Sequence, residues 1–201
     1  MNRENTHSPS VSSRRDFLKV SSIFLASGIL SNAHAAFTKA EIEKLFATKS
    51  KSQAKKLHLY SVNSKKTLNI EFFENGKFIK EGLQEIYRLM GDRRTGEIAK
   101  IDTDLITSMY ELQTKLNTSK PLDVLSGFRS PETNTQMAKT SKHVAKDSYH
   151  THGQAVDLSV RGISINEIHN ITQNIHSGGI GYYPTSGFIH IDVGPVRHWK
   201  G

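Results

Sequence analysis

Two short stretches near the C-terminus constrain the fold more than any other feature of the chain. In Gln154 to Val160, one parity holds Val156, Leu158 and Val160, and the other holds Ala155, Asp157 and Ser159. In Gly187 to Val193, Ile189, Ile191 and Val193 share one parity, and Phe188, His190 and Asp192 share the other. A period of two marks a strand whose successive side chains point to opposite faces. Each strand therefore offers an apolar face to a helix layer and a second face that carries ionisable groups. A sheet with helices on one side and an open cleft on the other satisfies both, and the expected class is α+β.

The remaining pattern supplies the other elements. Leu57 to Val62 and Thr67 to Glu74 read as strands joined by Asn63-Ser64-Lys65-Lys66, and Asn75-Gly76 turns the chain into a short return strand, Lys77 to Ile79. Leu83, Ile86, Tyr87, Leu89 and Met90 stand at helical spacing, as do Leu105, Met109, Leu112 and Leu116, with Asp104 as the expected N-cap of the second helix. Leu122 to Leu125 is strand-like, Pro131 opens a helix to about Thr140, and Ile165 to Ile175 forms another. Thr38-Lys39-Ala40-Glu41 has capping-box spacing for a short helix to about Ala47, and the Lys/Ser-rich stretch 49–56 reads as a linker. The expected organisation is an N-terminal helix and linker over 36–56 and one domain over 57–201.

The first 35 residues read as an address. Ser13-Arg14-Arg15-Asp16-Phe17-Leu18-Lys19 fills the S-R-R-x-F-L-K pattern of a twin-arginine export signal, and Ala33-His34-Ala35 is an A-x-A cleavage site. The apolar run between them, Val20 to Leu30, is too short for a hydrocarbon core that takes about 20 apolar residues to cross. A cleaved signal over 1–35 is therefore expected. The translocase would be a partner during export, the location periplasmic or otherwise exported, and no stable membrane anchor would remain. Cleavage takes Arg3, Arg14, Arg15, Lys19, Glu4 and Asp16 from a chain of net charge +8 and leaves +6. Outside the cytoplasm no nucleic acid is expected to meet that charge; an anionic polymer such as a bacterial cell wall is the expected partner.

No cysteine occurs among the 201 residues, which excludes thiolate cages, iron–sulfur clusters, thiol nucleophiles and disulfides. Any metal must be held by His, Asp or Glu, and ten histidines direct the search there. A catalytic zinc site usually has three protein ligands and one open position. In Ser148-Tyr149-His150-Thr151-His152-Gly153-Gln154-Ala155-Val156-Asp157, His150 precedes the strand that carries Asp157. His190 on the other alternating strand would complete a site, with Asp192 on the same face two residues on.

These residues carry a resemblance. Ser148 to Asp157 matches S-x-H-x-x-G-x-A-x-D at every fixed position. Ser126-Gly127-Phe128-Arg129-Ser130-Pro131-Glu132-Thr133-Asn134 resembles an S-G-[YF]-R-S-x-x-x-N segment, and Phe188 to Trp199 looks like an H-x-D ending. The chain thereby resembles the zinc D,D-carboxypeptidase and endopeptidase family with the lysostaphin/hedgehog-type fold, nearest to its periplasmic MepK-like murein endopeptidase branch. The resemblance spans about Leu57 to Gly201. It implies an antiparallel sheet with helices packed on one face and a zinc cleft on the other, as in hedgehog and D-Ala-D-Ala metallopeptidases. It implies one Zn²⁺ per chain held by His150, Asp157 and His190, and it selects His150 over His152. Arg129 matches an arginine that holds the substrate carbonyl, and Ser148 and Gly153 shape the loop around the first ligand. More familiar members have a Glu three residues, or a His two residues, before the last ligand; here those positions hold Gly187 and Phe188.

The general base is accordingly a choice. Asp192 is expected to take that role because it shares a face with His190, with His152 as the next candidate. Asp192 could instead orient a ligand histidine. His152 and Ser148 are further expected to face substrate, and Arg129 either binds substrate and its oxyanion or caps the Pro131 helix. His143, His169, His176 and His198 read as structural or exposed, and Trp199, Tyr182 and Tyr183 either pack or line the cleft. The expected activity is zinc-dependent hydrolysis of peptide cross-links or stem peptides of peptidoglycan. The alternatives are a D,D- or L,D-carboxypeptidase and a non-catalytic, zinc-stabilised wall-binding module.

Overall fold

The computed structural model describes Thr38 and residues 54–141 and 144–201. The expected export signal, the helix expected after Thr38, most of the expected linker and His143 lie outside the described residues. In chain order the elements are β1 (Lys55–Ser61), β2 (Thr67–Glu74), β3 (Lys77–Phe78), α1 (Lys80–Leu89), α2 (Thr103–Leu116), β4 (Leu122–Ser126), α3 (Pro131–Thr140), a 3₁₀ turn (Tyr149–His152), β5 (Ala155–Ser159), α4 (Ile165–Ile175), β6 (Gly179–Tyr183), β7 (Phe188–Asp192) and β8 (Arg197–Lys200). The eight strands form one sheet in the order β3-β2-β1-β4-β5-β7-β6-β8.

Local chemistry sets most of these boundaries. Asn75 and Gly76 both take positive φ, 51° and 78°, as a tight turn between antiparallel strands requires. Ser130 caps α3 by accepting from the Thr133 N–H, with Pro131 in the first turn, and Ser164 caps α4 by accepting from the Glu167 N–H. The cap of α2 is Asp102 rather than Asp104: its carboxylate accepts the Asp104 N–H at 3.0 Å, and Asp104 lies inside the first turn. Strand β1 begins at Lys55, so Lys55 and Lys56 are strand residues, with Lys56 paired to Glu71.

The expected wholly antiparallel sheet is corrected to a mixed one. Strands β1 and β4 run parallel, as do β6 and β8. Between β1 and β4 the chain passes through β2, β3, α1 and α2, and such a crossover returns it in the same direction. The two strands absent from the sequence reading, β6 and β8, form this second parallel pair. The glycines of Gly179-Ile180-Gly181 argue against a strand. They are required here because a Cβ at Gly181 would sit 2.6 Å from the Trp199 indole.

One apolar cluster joins the sheet to the helices. It takes Leu57, Leu59 and Phe72 from β1 and β2, Val156 and Leu158 from β5, and Ile189 and Ile191 from β7. Helices α1, α2 and α4 supply Ile86, Leu105, Ile106, Met109, Leu112 and Ile168, while α3 supplies none. Phe72 meets Tyr110 edge to face at 5.7 Å. The apolar parities of β5 and β7 lie in this core, which leaves Asp157 and His190 on the opposite parity.

Buried Asp92 fastens the loop after α1 to the start of α3. Its carboxylate accepts the N–H groups of Arg94 and Ser130, both at 2.8 Å. Burial alone would raise its pKa, but donors from Thr133, Ser130 and Arg94 outweigh it and hold the group at about 2. A depressed folded pKa adds stability that is present above the unfolded value of 3.8 and lost as pH falls through about 2. Asp92→Ala should lower the urea-unfolding free energy at pH 7 by about 2–3 kcal/mol. At pH 3 roughly half of the electrostatic part of that difference should be gone. A wild-type urea midpoint for the variant at pH 7 would show that the loop is held by other contacts.

Candidate metal centre

The register of β5 against β7 places Asp157 directly opposite His190. The 3₁₀ turn before β5 delivers His150 from above. It is locked by the Thr151 N–H to Ser148 O bond, and Gly153 leaves it in the left-handed conformation. His150 Nε2 lies 3.2 Å from His190 Nδ1 and 3.3 Å from Asp157 Oδ1, and His190 Nδ1 lies 2.9 Å from Asp157 Oδ1. The three side chains are almost wholly shielded, at 3%, 12% and 11% exposure for His150, His190 and Asp157.

The outer hydrogen bonds decide what these three atoms are. His150 Nδ1 donates to the Gly127 carbonyl at 2.7 Å, so Nε2 of the neutral ring carries a lone pair. His190 Nε2 donates to Asp192 Oδ2 at 2.9 Å, so its Nδ1 carries a lone pair as well whenever the ring is neutral. Asp157 Oδ2 accepts from Arg129 at 2.8 Å, and Oδ1 faces the two imidazoles. Three acceptors therefore point at one another, an arrangement that holds together only around a proton or a cation. Among the described residues this is the group of His and acidic side chains whose donor atoms could hold a metal ion.

The electrostatics keep His150 neutral and favour a proton on His190 where no cation takes its place. Burial pushes the His150 pKa down and outweighs the opposing pull of Asp157, so the ring is neutral as a ligand must be. Burial acts the same way on His190, but hydrogen bonds to Asp157 and Asp192 outweigh it and the pKa is raised. Burial also works against ionisation of Asp157, yet His150 and His190 hold its carboxyl well below the usual range.

The S-G-F-R-S-P-E-T-N segment is the frame of this centre. Besides its bond to Asp157, Arg129 donates from Nε to Ser126 Oγ at 2.9 Å, and its N–H donates to His150 O at 3.1 Å. Gly127 offers the carbonyl that orients His150, and a Cβ there would lie 2.4 Å from Met90 O. Asn134 donates to the carbonyls of Ala145 and Lys146, both at 3.0 Å, and so holds the approach to His150.

Asp192 stands behind His190, on the side away from Asp157. It is fully buried. Oδ2 accepts from His190 and from Arg197 at 2.7 Å, and Oδ1 accepts from the Gly194 N–H at 2.9 Å and from Arg197 at 3.0 Å. Burial opposes its charge, but His190, Arg197 and Gly194 outweigh it and hold the pKa at about 2. That geometry suits an orienting role, because every acceptor direction is occupied and the general base expected first would need a free one. His152, the next candidate, is exposed, bonds Asp147 at 3.1 Å and does not line the cleft. Ser148 is buried and does line it.

Arg197 escaped the sequence reading although it lies within the quoted C-terminal stretch. A basic residue five positions after a buried acid, across Gly-Pro, is the signal that could have found it. Its guanidinium also lies over the rings of Tyr149 and Trp199, at 4.9 and 5.1 Å. Trp199 lines the cleft, stands 5.2 Å from the His190 ring and donates to the Tyr183 hydroxyl at 2.8 Å. His176 ties α2 to β7 through Ser108 Oγ and Asp192 O, and His169 stacks on Tyr182. The cleft measures about 1330 Å³, more than a compact small-molecule site of roughly 300–1,000 Å³.

The fold is an α+β scaffold whose cleft holds a candidate metal-binding group, and the comparisons place it in a family of peptidases. The family described as peptidoglycan L,D-endopeptidase MepK matches residues 49–199. The peptidoglycan L,D-endopeptidase MepK of Escherichia coli K12 is 40% identical over 154 residues, which span 77% of this chain and 85% of the relative. The probable peptidoglycan L,D-endopeptidase MepK of Haemophilus influenzae is 34% identical over 189 residues, 94% of this chain and 96% of the relative. The chain belongs to this MepK family.

The centre should bind one divalent metal ion, read by competition with a chromophoric chelator. His190→Ala should abolish binding, Asp192→Asn should weaken it about 10–100-fold, and His152→Ala should leave it unchanged. Affinity should fall as pH drops through the raised His190 pKa, because proton and metal compete for Nδ1. Binding that is indifferent to His190→Ala would place the metal elsewhere.

Proposed function

We propose that the protein is a zinc-dependent endopeptidase that hydrolyses peptide cross-links or stem peptides of peptidoglycan outside the cytoplasm. The observation that carries this reading is the closed triangle of lone pairs at the floor of a long cleft. Zinc–nitrogen bonds of about 2.0–2.1 Å in a tetrahedron set ligand atoms about 3.3 Å apart. The separations of 2.9–3.3 Å between His150, His190 and Asp157 suit that geometry. The donor set of two imidazoles and one carboxylate leaves room for a fourth ligand. The relatives' names support an L,D bond as the one cut, and the twin-arginine motif supports export. Among the described residues no helix is long and apolar enough to cross a membrane.

When bound, zinc supplies a Lewis acid for the scissile carbonyl and an acidified water. The chain's own residues do the rest by position. Gly127 O and Asp192 fix the two imidazoles in the tautomers that ligation needs. Arg129 holds Asp157 and presents its guanidinium to the cleft beside that ligand, where a developing oxyanion gains from a fixed cation. Trp199, Tyr183 and Phe188 wall the cleft on the β6–β8 side. Asp192 orients, and the transferred proton is not assigned to it.

Incubation with purified cross-linked muropeptides should yield smaller products by mass spectrometry. A chelator should abolish cleavage, and one equivalent of zinc should restore it. Products shortened only at free stem ends would instead indicate a carboxypeptidase, and intact substrate with bound protein a wall-binding module. Arg129→Ala, assayed at saturating zinc, should lose about 10²–10³-fold in turnover. Near-normal turnover would remove Arg129 from the chemistry.

A further inference from the structure

The cleft runs from the metal centre along the loop between α1 and α2, and two arginines of that loop, Arg93 and Arg94, line it. Both are exposed, and among the described residues neither forms an ion pair. Of the acids nearby, Glu85 is taken by Arg88 and Asp92 is buried under backbone donors. Glu97 and Asp102, the remaining acids of the loop, pair with neither arginine; Asp102 caps α2 and accepts from Gln154.

The loop that presents these guanidinia is built to stay in place. The Asp92 N–H donates to Glu97 O and the Gly96 N–H donates to Asp92 O, both at 2.8 Å, which closes residues 92–97 into a tight turn. The Asp92 carboxylate then crosses to the Ser130 N–H, next to Arg129. Just before the turn, Met90 O accepts the Phe128 N–H at 2.8 Å. Both anchor points lie in the segment that orients His150 and Asp157, so Arg93 and Arg94 are held in fixed relation to the metal centre. A buried carboxylate at the root of the turn costs desolvation, and a loop with no task beyond connection has no need of it. Two consecutive arginines without an acidic partner, carried by a fixed backbone on the cleft wall, suit an oxyanion, and the planar fork of arginine matches a carboxylate.

We propose that Arg93 and Arg94 form the subsite that takes a free carboxylate of the peptide substrate and so sets which bond reaches the metal centre. The proposal deepens the peptidase reading and rests on it. The test uses the full-length protein and one cross-linked muropeptide in two forms, with its free carboxylates intact and with them amidated. Binding is read by titration calorimetry on metal-free protein, where no turnover occurs. Wild type should prefer the carboxylate form by at least about tenfold. The double variant Arg93→Gln/Arg94→Gln should lose that preference while it binds the amidated form like wild type and keeps its metal affinity. In zinc-loaded protein the loss should fall on KM, with kcat within about twofold.

Equal binding of the two forms by wild type, a preference that survives in the double variant, or equal weakening on both forms would overturn the subsite. Carboxylate-dependent binding without any cleavage by wild type would refute the peptidase reading and leave the subsite standing.

Discussion

Three atoms that are all acceptors when both imidazoles are neutral, meeting at about hydrogen-bond distance, are the constraint on which the rest of this structure depends. His150 Nε2, His190 Nδ1 and Asp157 Oδ1 repel one another unless a positive charge joins them. Their convergence has to be imposed from outside, and each has its own outer partner: Gly127 O for His150, Asp192 for His190 and Arg129 for Asp157. Those partners come from β7 and from the loop between β4 and α3. Much of the architecture can be understood as the means of bringing these segments to one place.

The sheet register does the first part of that work. Asp157 and His190 are cross-strand partners, and Gly181 of β6 faces His190 on its other side. A slip of one residue between β5 and β7 would turn His190 into the apolar core and bring Ile191 to the cleft. The apolar parity of Val156, Leu158, Ile189 and Ile191 therefore fixes the position of the metal ligands as firmly as the ligands' own bonds do. Loop contacts do the second part. Met90, Gly127, Phe128 and His150 form a continuous chain of backbone approaches, and the small size of Gly127 is what lets the end of α1 lie against the segment that orients His150.

What could be read in the sequence follows from this division. The helices α1, α3 and α4 and the alternating strands were legible because burial periodicity and Ser or Pro caps act locally. The meeting of His150, Asp157 and His190 was legible because spaced motifs place His150 and Asp157 on adjoining elements. Strands β6 and β8 were not, since the glycines that lower strand propensity in β6 serve the indole of Trp199, a contact invisible until the sheet is assembled. The surroundings of Asp192 were not legible for a related reason. Shared parity with His190 places it on the same face of the strand, but only the three-dimensional neighbours show that His190 presents its other nitrogen to the metal ligands. Arg197, which holds Asp192, follows a turn whose path the sequence did not reveal.

The charges around the centre form a further pattern. Asp157 is compensated by Arg129 and Asp192 by Arg197, so each carboxylate that touches a ligand atom or orients one has its own guanidinium. In the buried surroundings such pairing offsets the desolvation that an isolated carboxylate would suffer. It also leaves the ligand set close to neutral overall. A divalent cation entering a neutral set of ligands keeps most of its field, whereas one entering two uncompensated carboxylates would be largely neutralised by them. Retained positive charge is what polarises a carbonyl and acidifies water. In the proposed chemistry the two arginines would serve twice: they allow acidic groups to be buried at the centre, and they would keep those groups from quenching a cation held there.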